Sequence, residues 1–237
     1  MTFKESGKLK AVTFSFDDGA SQDKRLIELF NKYGLKGTFN LNSNLLGKKH
    51  ISVCDGERRD NFRFSATELP EIYKGHEVAV HTLDHINLTQ QTDEEIIRQV
   101  EEDRVNLSKI MGYEVVGMAY PCGGVNCNEH VAEVIKNNTG IKYARTTLKT
   151  DSFDLQDNLY LYVPSNAYHA YTYEKTMALC KRFLETPADK PQILYLWGHS
   201  YEIAFGENRW EYMEDICRLI SGYDDIFYGT NIEIFTR

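Results

Sequence analysis

The sequence predicts an α/β protein: a parallel sheet covered by helices, closed as a barrel or laid out as a doubly wound sheet. Three observations carry this. Strand-patterned and helix-patterned segments alternate nearly throughout the 237 residues. No repeat, low-complexity tract or Pro/Gly/Ser linker separates them, so one domain over 1–237 is the economical reading. Polar residues capable of chemistry gather where the strands end.

The elements follow in order. "KAVTFSF" reads as a strand running into Asp17 and Asp18. A helix over 22–33 sets Leu26, Phe30 and Tyr33 on one face and stops at Gly34. "GTFNLN" is a strand. Residues 47–65 are polar and irregular and predict a loop excursion. "ATELPEIYKG" is a short helix and "HEVAVHT" a strand. The long helix "TDEEIIRQVEEDRVNLSKIMG" opens on a capping box, Thr92 with Glu95, and ends at Gly112. "YEVVGMAYP" is a strand, "NEHVAEVIKNN" a helix and "KYARTT" a strand. "NLYLYVPS" predicts a further strand. "YEKTMALCKRFLET" is a helix and "QILYLWGHS" a strand. The tail predicts the helix "WEYMEDICRLISG" and the strand "NIEIFTR".

Composition excludes some function classes. The chain is 42% hydrophobic and 26% charged, which is ordinary for a globular protein. Its net charge of -8 disfavours nucleic acid or an anionic membrane as partner, because both need a basic face. Five cysteines (Cys54, Cys122, Cys127, Cys180, Cys217) include no CxxC pair, which argues against a cysteine zinc site. They read mostly as small buried apolar residues. No stretch has the length of a membrane span, and "MTFKESGKLK" has no apolar leader core. Free thiols and the lack of a visible leader lead to an expected cytoplasmic location. The oligomeric state is left open.

Five strand ends then deliver reactive groups to one rim: Asp17 and Asp18; His81 and His85; Tyr120, Pro121 and Cys122; Arg145; and His199. In α/β barrels the carboxyl ends of the strands carry the active site. "HTLDH" spaces two histidines four apart, as HExxH does on a helical turn, but here the first ends a strand and the second sits just beyond, and both can still converge on one ion. With one aspartate they fill three metal positions and leave others open, the arrangement of a catalytic site. A strand sends neighbouring side chains to opposite faces, so "SFDDG" needs Gly19 to turn the chain sharply. One aspartate can then bind metal while the other stays free as a base. Taken singly, "FDDG" is equally an acidic turn.

"SFDDG", "HTLDH", "AYPCGG" and "YLWGHS" occur in that order, and together they resemble the motifs of the polysaccharide deacetylase superfamily, the NodB-homology or carbohydrate esterase 4 family. The resemblance runs from about Val12 to Glu202. It implies a distorted (β/α) barrel with about seven parallel strands. It also implies removal of acetyl groups from an N- or O-acetylated carbohydrate. One divalent metal is implied, usually zinc; oxygen and nitrogen ligands also suit cobalt, nickel or iron. By resemblance Asp17 is the catalytic base, Asp18, His81 and His85 are the metal ligands, and His199 is the catalytic acid.

Two departures stand out. Where the family has Arg-x-Pro-Tyr, this chain has "AYPC", with Ala119 for the arginine and Cys122 for the tyrosine. The tyrosine acts through its backbone N–H, toward the oxyanion, which Cys122 also supplies. The arginine braces the base, and Arg145 from the next strand is expected to take its place. The aspartate that orients the acid histidine is not clear; Asp151, Asp154 and Asp157 lie in the right region. "HSYE" offers Glu202 as a helper of His199 or as a helix cap. "YHAYTY" is read as loop packing that offers rings to a sugar, and Trp197 and Trp210 as core. Two other readings stay open: a metal-dependent hydrolase of a small non-sugar amide, and a carbohydrate-binding relative with weak catalysis. Too few further carboxylates lie at strand ends for a two-metal phosphoryl hydrolase.

Overall fold

The computed structural model describes residues 1–54, 56–168, 172–205 and 209–236. The strands of the main sheet are β1 (Lys10–Asp17), β2 (Gly37–Leu41), β5 (Glu77–Val80), β6 (Gly117–Ala119), β7 (Tyr143–Arg145), β8 (Asn166–Ala167) and β9 (Gln192–Gly198). They pair in parallel in the order β7-β6-β5-β2-β1-β9-β8. An eighth strand, β10 (Ile226–Tyr228), pairs with Lys10–Val12 at the start of β1, leaving the rest of that edge to β2. The seven parallel strands form a curled half-barrel. Residues 162–167 draw its two edges together: Tyr162 bridges to Arg145 of β7, and Asn166 and Ala167 pair with β9.

Helices α1 (Asp23–Lys32), α3 (Asp93–Met111), α4 (Glu129–Asn138), α5 (Tyr173–Glu185) and α7 (Arg209–Ile220) accompany the strands. Both faces of β1 are buried, as in sheets with helical crossovers. Its alternate residues sort into two apolar clusters. Val12, Phe14 and Phe16 join the larger one with Phe30, Phe39 and Val80. Ala11 joins a smaller one with Tyr143, Tyr195 and Phe235. Thr13, Ser15 and Asp17 share a strand face with Ala11. That row carries the polar chemistry of the molecule.

Three expectations are corrected. Residues 47–65 are not a plain loop: β3 (Lys49–Cys54) and β4 (Glu57–Phe62) form an antiparallel hairpin. It is pinned beside the end of β1 by Ser21 N–H donating to Phe62 O (2.8 Å). "NLYLYVPS" is not a strand. It holds a 3-10 turn over Leu159–Leu161 and the single bridge at Tyr162, because the Asn158 side chain accepts from Tyr160 N–H and turns the chain. "NIEIFTR" is a helix, α8 (Asn231–Phe235), because Thr230 and Glu233 form a reciprocal capping box that overrides the β-branched pattern. The strand β10 was not foreseen. At α3 only half the expected box forms: Thr92 accepts from Glu95 N–H, while the Glu95 carboxylate turns to Arg98. Gly112 ends α3 in the left-handed conformation as expected. Cys180 and Cys217 are buried, and Cys122 and Cys127 are partly so. Among the described residues no helix is long and apolar enough to cross a membrane.

Candidate active site

A cavity of about 670 Å³ opens at the carboxyl ends of the strands. Asp17, Asp18, His81, His85, Cys122 and His199 all line it.

Asp17 is the last residue of β1 and keeps the face of Ser15. Asp18 and Gly19 are both left-handed (φ 79° and 63°), so the alternation breaks and the second carboxylate swings to the same cavity. At Gly19 a Cβ would lie 2.7 Å from Leu41 Cδ2, so a larger residue would have to move that side chain and also take up the left-handed φ. Thr82, His85 and Cys122 also have positive φ (65°, 56° and 69°); with Asp18, His85 and Cys122 make three strained non-glycine residues that line the cavity, and Thr82 follows its His81. "HTLDH" therefore converges beyond the strand end, as expected. Two left-handed residues fold it back, and the His81 and His85 ring centres lie 5.0 Å apart.

The side chains of Asp18, His81 and His85 each offer a donor atom, all within 4.8 Å of one another. Their chemistry fits a divalent cation. His81 is wholly buried, and its Nδ1 lies 2.9 Å from Ala119 O, which fixes that nitrogen as the donor and leaves Nε2 to ligate. Burial, against the pull of Asp17, pushes the His81 pKa down to about 4, keeping the ring neutral as a ligand must be. Asp18 Oδ1 is buried without a hydrogen bond and stands 3.4 Å from His85 Nε2. Burial opposes its charge, but His199, His81, His85 and Arg63 hold its pKa down at about 2. A buried, ionised, unbonded oxygen facing two imidazoles is the feature that an ion would satisfy.

Asp17 is placed differently. Arg145 Nη2 lies 2.5 Å from both of its oxygens, and Asn40 Nδ2 donates to Oδ1 at 2.8 Å. Burial would raise its pKa, but Arg145 above all, then His81 and His199, hold it below the usual value. Arg145 is the register partner of Ala119 on the adjacent strand. The guanidinium thus occupies the level that an arginine at 119 would serve, from one strand over. It is 1% exposed, donates from Nη1 to Thr146 O (3.1 Å) and stacks 4.3 Å from the Trp197 ring centre. The expected two-pronged fork is absent: one nitrogen serves both oxygens.

His199 follows β9 and opens α6 (Ser200–Ile203). Its Nδ1 lies 3.3 Å from Glu202 Oε1. Burial disfavours its charge, but Glu202, Asp18 and Asp17 lift its pKa to about 9. Asp151, Asp154 and Asp157 are exposed and do not line the cavity; Asp154 pairs with Lys190 at 2.9 Å. The carboxylate at His199 is Glu202. Cys122 lines the cavity in its left-handed conformation, braced by Asn126 Nδ2 donating to its carbonyl (2.8 Å), with Sγ 3.7 Å from His85 O.

Trp197 is not simply core, because it lines the cavity against Arg145. Trp210 is partly buried and sits over Arg25. Tyr168 is buried, and Tyr173 stacks on Tyr212 at 4.3 Å; His169 and Tyr171 lie outside the described residues. Sequence reasoning missed Asn40, His50, Arg63 and Tyr201. Asn40 was findable as the polar residue facing inward on β2. The others depend on the hairpin and on α6, which no motif announced.

A parallel half-barrel thus carries at its carboxyl ends an Asp–His–His cluster that could hold a metal ion, a clamped aspartate and a histidine–glutamate pair. The chain belongs to the polysaccharide deacetylase family, whose model matches residues 4–144. Its fold is similar to that of a protein from Mycobacterium smegmatis described as a polysaccharide deacetylase (TM-score 0.64, 16% identity, covering 94% of this chain and 88% of that one). It is also similar to Puue allantoinase (0.63, 11%, 95% and 89%). A family 4 carbohydrate esterase from Streptomyces lividans, solved with acetate, is a third (0.54, 14%, 92% and 91%). At these identities the likeness is one of fold. No curated protein matches the chain by sequence.

Proposed function

We propose that residues 1–237 form one catalytic domain, a metal-dependent hydrolase that removes acetyl groups from an N- or O-acetylated carbohydrate. The observation that carries the reading is the division of labour between neighbours: Asp18 faces two imidazoles, while Asp17 is clamped by Arg145. Asp18, His81 and His85 would hold the ion. Zinc suits this donor set first, with cobalt, nickel or iron as alternatives. When bound, the ion polarises the acyl carbonyl and lowers the pKa of water.

The chain's own residues do the rest. Asp17, ionised and fixed in plane, takes a proton from the attacking water. Arg145 and Asn40 hold it in that orientation; their charge and hydrogen bonds lower its basicity, so their benefit is geometric. The backbone N–H of Cys122 donates to the developing oxyanion. His199 enters protonated, as the carboxylates around it favour, and delivers a proton to the leaving nitrogen or oxygen. The imidazolium's charge is supported by Glu202, as a carboxylate supports a catalytic histidine elsewhere.

A second reading is the same carbonyl chemistry on a small non-sugar amide or ureide. It is favoured by the fold's likeness to an allantoinase. Metal analysis of the purified protein, joined to acetate release from a panel of acetylated glycans and small amides, tests both. Acetate from glycans, dependent on one bound metal per chain, supports the first. Turnover of small amides alone supports the second. A retained metal with no turnover of either leaves a binding protein.

A further inference from the structure

The hairpin side of the cavity holds a cation that the reaction above does not use. Arg63 follows β4 and is only 9% exposed. Its Nε donates to the backbone carbonyl of Asp18 (2.9 Å). That tether fixes the guanidinium beside the site, yet among the described residues neither Nη nitrogen makes a hydrogen bond. The nearest carboxylate oxygen, Asp18 Oδ1, is 3.9 Å from Nη2, too far for one. The other carboxylates in or beside the cavity are engaged elsewhere. Asp17 is clamped by Arg145, Glu202 faces His199, and Asp84 accepts from Gln99 and Asn44. Asp18, the carboxylate neighbour of Arg63, is shared with His85, which stands closer at 3.4 Å. Arg63 lines the cavity, so its open donors face a space that an anion can enter.

The neighbours of Arg63 fit that need. His50 and Tyr201 line the same wall, with ring centres 5.4 Å apart. Burial, then Arg63, keeps the His50 pKa below its usual value, so the ring is neutral. Tyr201 brings a hydroxyl to the same wall.

We propose that Arg63, with His50 and Tyr201, forms a subsite for a carboxylate carried by the substrate close to the bond that is cleaved. The inference rests on the deacetylase reading of the same cavity and narrows it to acidic acyl-amino or acyl-oxy compounds. A guanidinium matches a carboxylate in plane and donates two bonds at once. The preferred substrate is then a sugar acid or another acid, rather than a neutral acetylated sugar.

The test compares matched pairs: N-acetylglucosamine against its C6 carboxylate, and N-acetylglycinamide against N-acetylglycine. Binding to metal-loaded protein is read by calorimetry on isosteres in which methylsulfonyl replaces acetyl, so turnover does not intrude. Acetate release is measured separately on the true acetyl compounds. In at least one pair, wild type should bind the carboxylate member about tenfold tighter or more, less so at high salt. Arg63→Gln, compared at the same metal loading as wild type, should bring that ratio near one, and Arg63→Lys should keep part of it. Equal binding within both pairs by wild type overturns the subsite, even if Arg63→Gln does not fold. So does a preference that survives Arg63→Gln. A carboxylate preference without acetate release from any member sinks the deacetylase reading and leaves the anion subsite standing.

Discussion

Asp17 and Asp18 at the carboxyl ends of the half-barrel and Glu77 at its amino ends are all buried acids, and they behave oppositely. Asp23, near the first pair but bonded to the Ser200 and Tyr73 hydroxyls, has its pKa pushed up to about 7 by burial and sides with Glu77. Toward the carboxyl ends, Asp17 and Asp18 face Arg145, Arg63 and three histidines, and their pKa values fall. Toward the amino ends, Glu77 accepts only from neutral donors: Tyr143 hydroxyl, Thr38 hydroxyl (2.8 Å) and Ile232 N–H (2.8 Å). Burial pushes its pKa up to about 7. Asn231 extends the network to Thr13 and Thr38 (both 2.9 Å) and seats α8 across that end. Burial is nearly the same in the two places. The partners decide whether an acid stays charged for chemistry or approaches neutrality as a structural pin.

The largest expected effect breaks the carboxyl-end set. Asp18→Asn or His81→Ala should lose the metal and essentially all activity, read by metal analysis and acetate release. Asp17→Asn should keep the metal and lower kcat by about a hundredfold to ten-thousandfold, the range for a general base. If Asp17→Asn strips the metal and Asp18→Asn does not, the two roles are exchanged.

Arg145→Lys sharpens the comparison. It keeps the charge but loses the bond to Thr146 and the stacking on Trp197. A fall in kcat of about tenfold to a hundredfold is expected on the scale of positioning effects, with metal content unchanged. Wild-type kcat in this variant would reduce Arg145 to a counter-charge.

Much of this was legible beforehand. The alternation of elements gave the parallel sheet, and strand-end position singled out Asp17, Asp18, His81, His85, Arg145 and His199. Arg145 was readable because it ends the strand next to Ala119, and strands of one sheet share levels. The His199 partner is not one of Asp151, Asp154 and Asp157 but Glu202, which "HSYE" offered as a helper or a helix cap. Glu202 reaches His199 only because residues 200–203 form a helical turn, which places i and i+3 together. The hairpin was hidden by its polar composition, since its outer face is solvated. The tail was misread because a capping box outweighed β-branched residues.

Two smaller predictions use charge. Glu202→Gln should lower the His199 pKa. The alkaline limb of kcat/KM, where the acid must keep its proton, should then move to lower pH; an unmoved limb would separate Glu202 from His199. At the other end, Glu77 has a pKa raised on folding from about 4.5 toward 7. Its contribution is full below the unfolded value and is lost as pH rises through the folded one. Relative to wild type, Glu77→Gln should therefore gain stability between pH 5 and 7, on the order of 2 kcal/mol. Urea midpoints at both pH values check this, and a constant difference would show that Glu77 is charged at both.

The most direct test is acetate release by metal-free protein as zinc is added back in measured equivalents. The account predicts no release without metal and recovery that levels off at one equivalent in wild type. It predicts no recovery in Asp18→Asn at the same zinc concentrations. Full activity in the metal-free protein, or the same recovery curve in Asp18→Asn, would contradict the assignment of the metal to Asp18, His81 and His85.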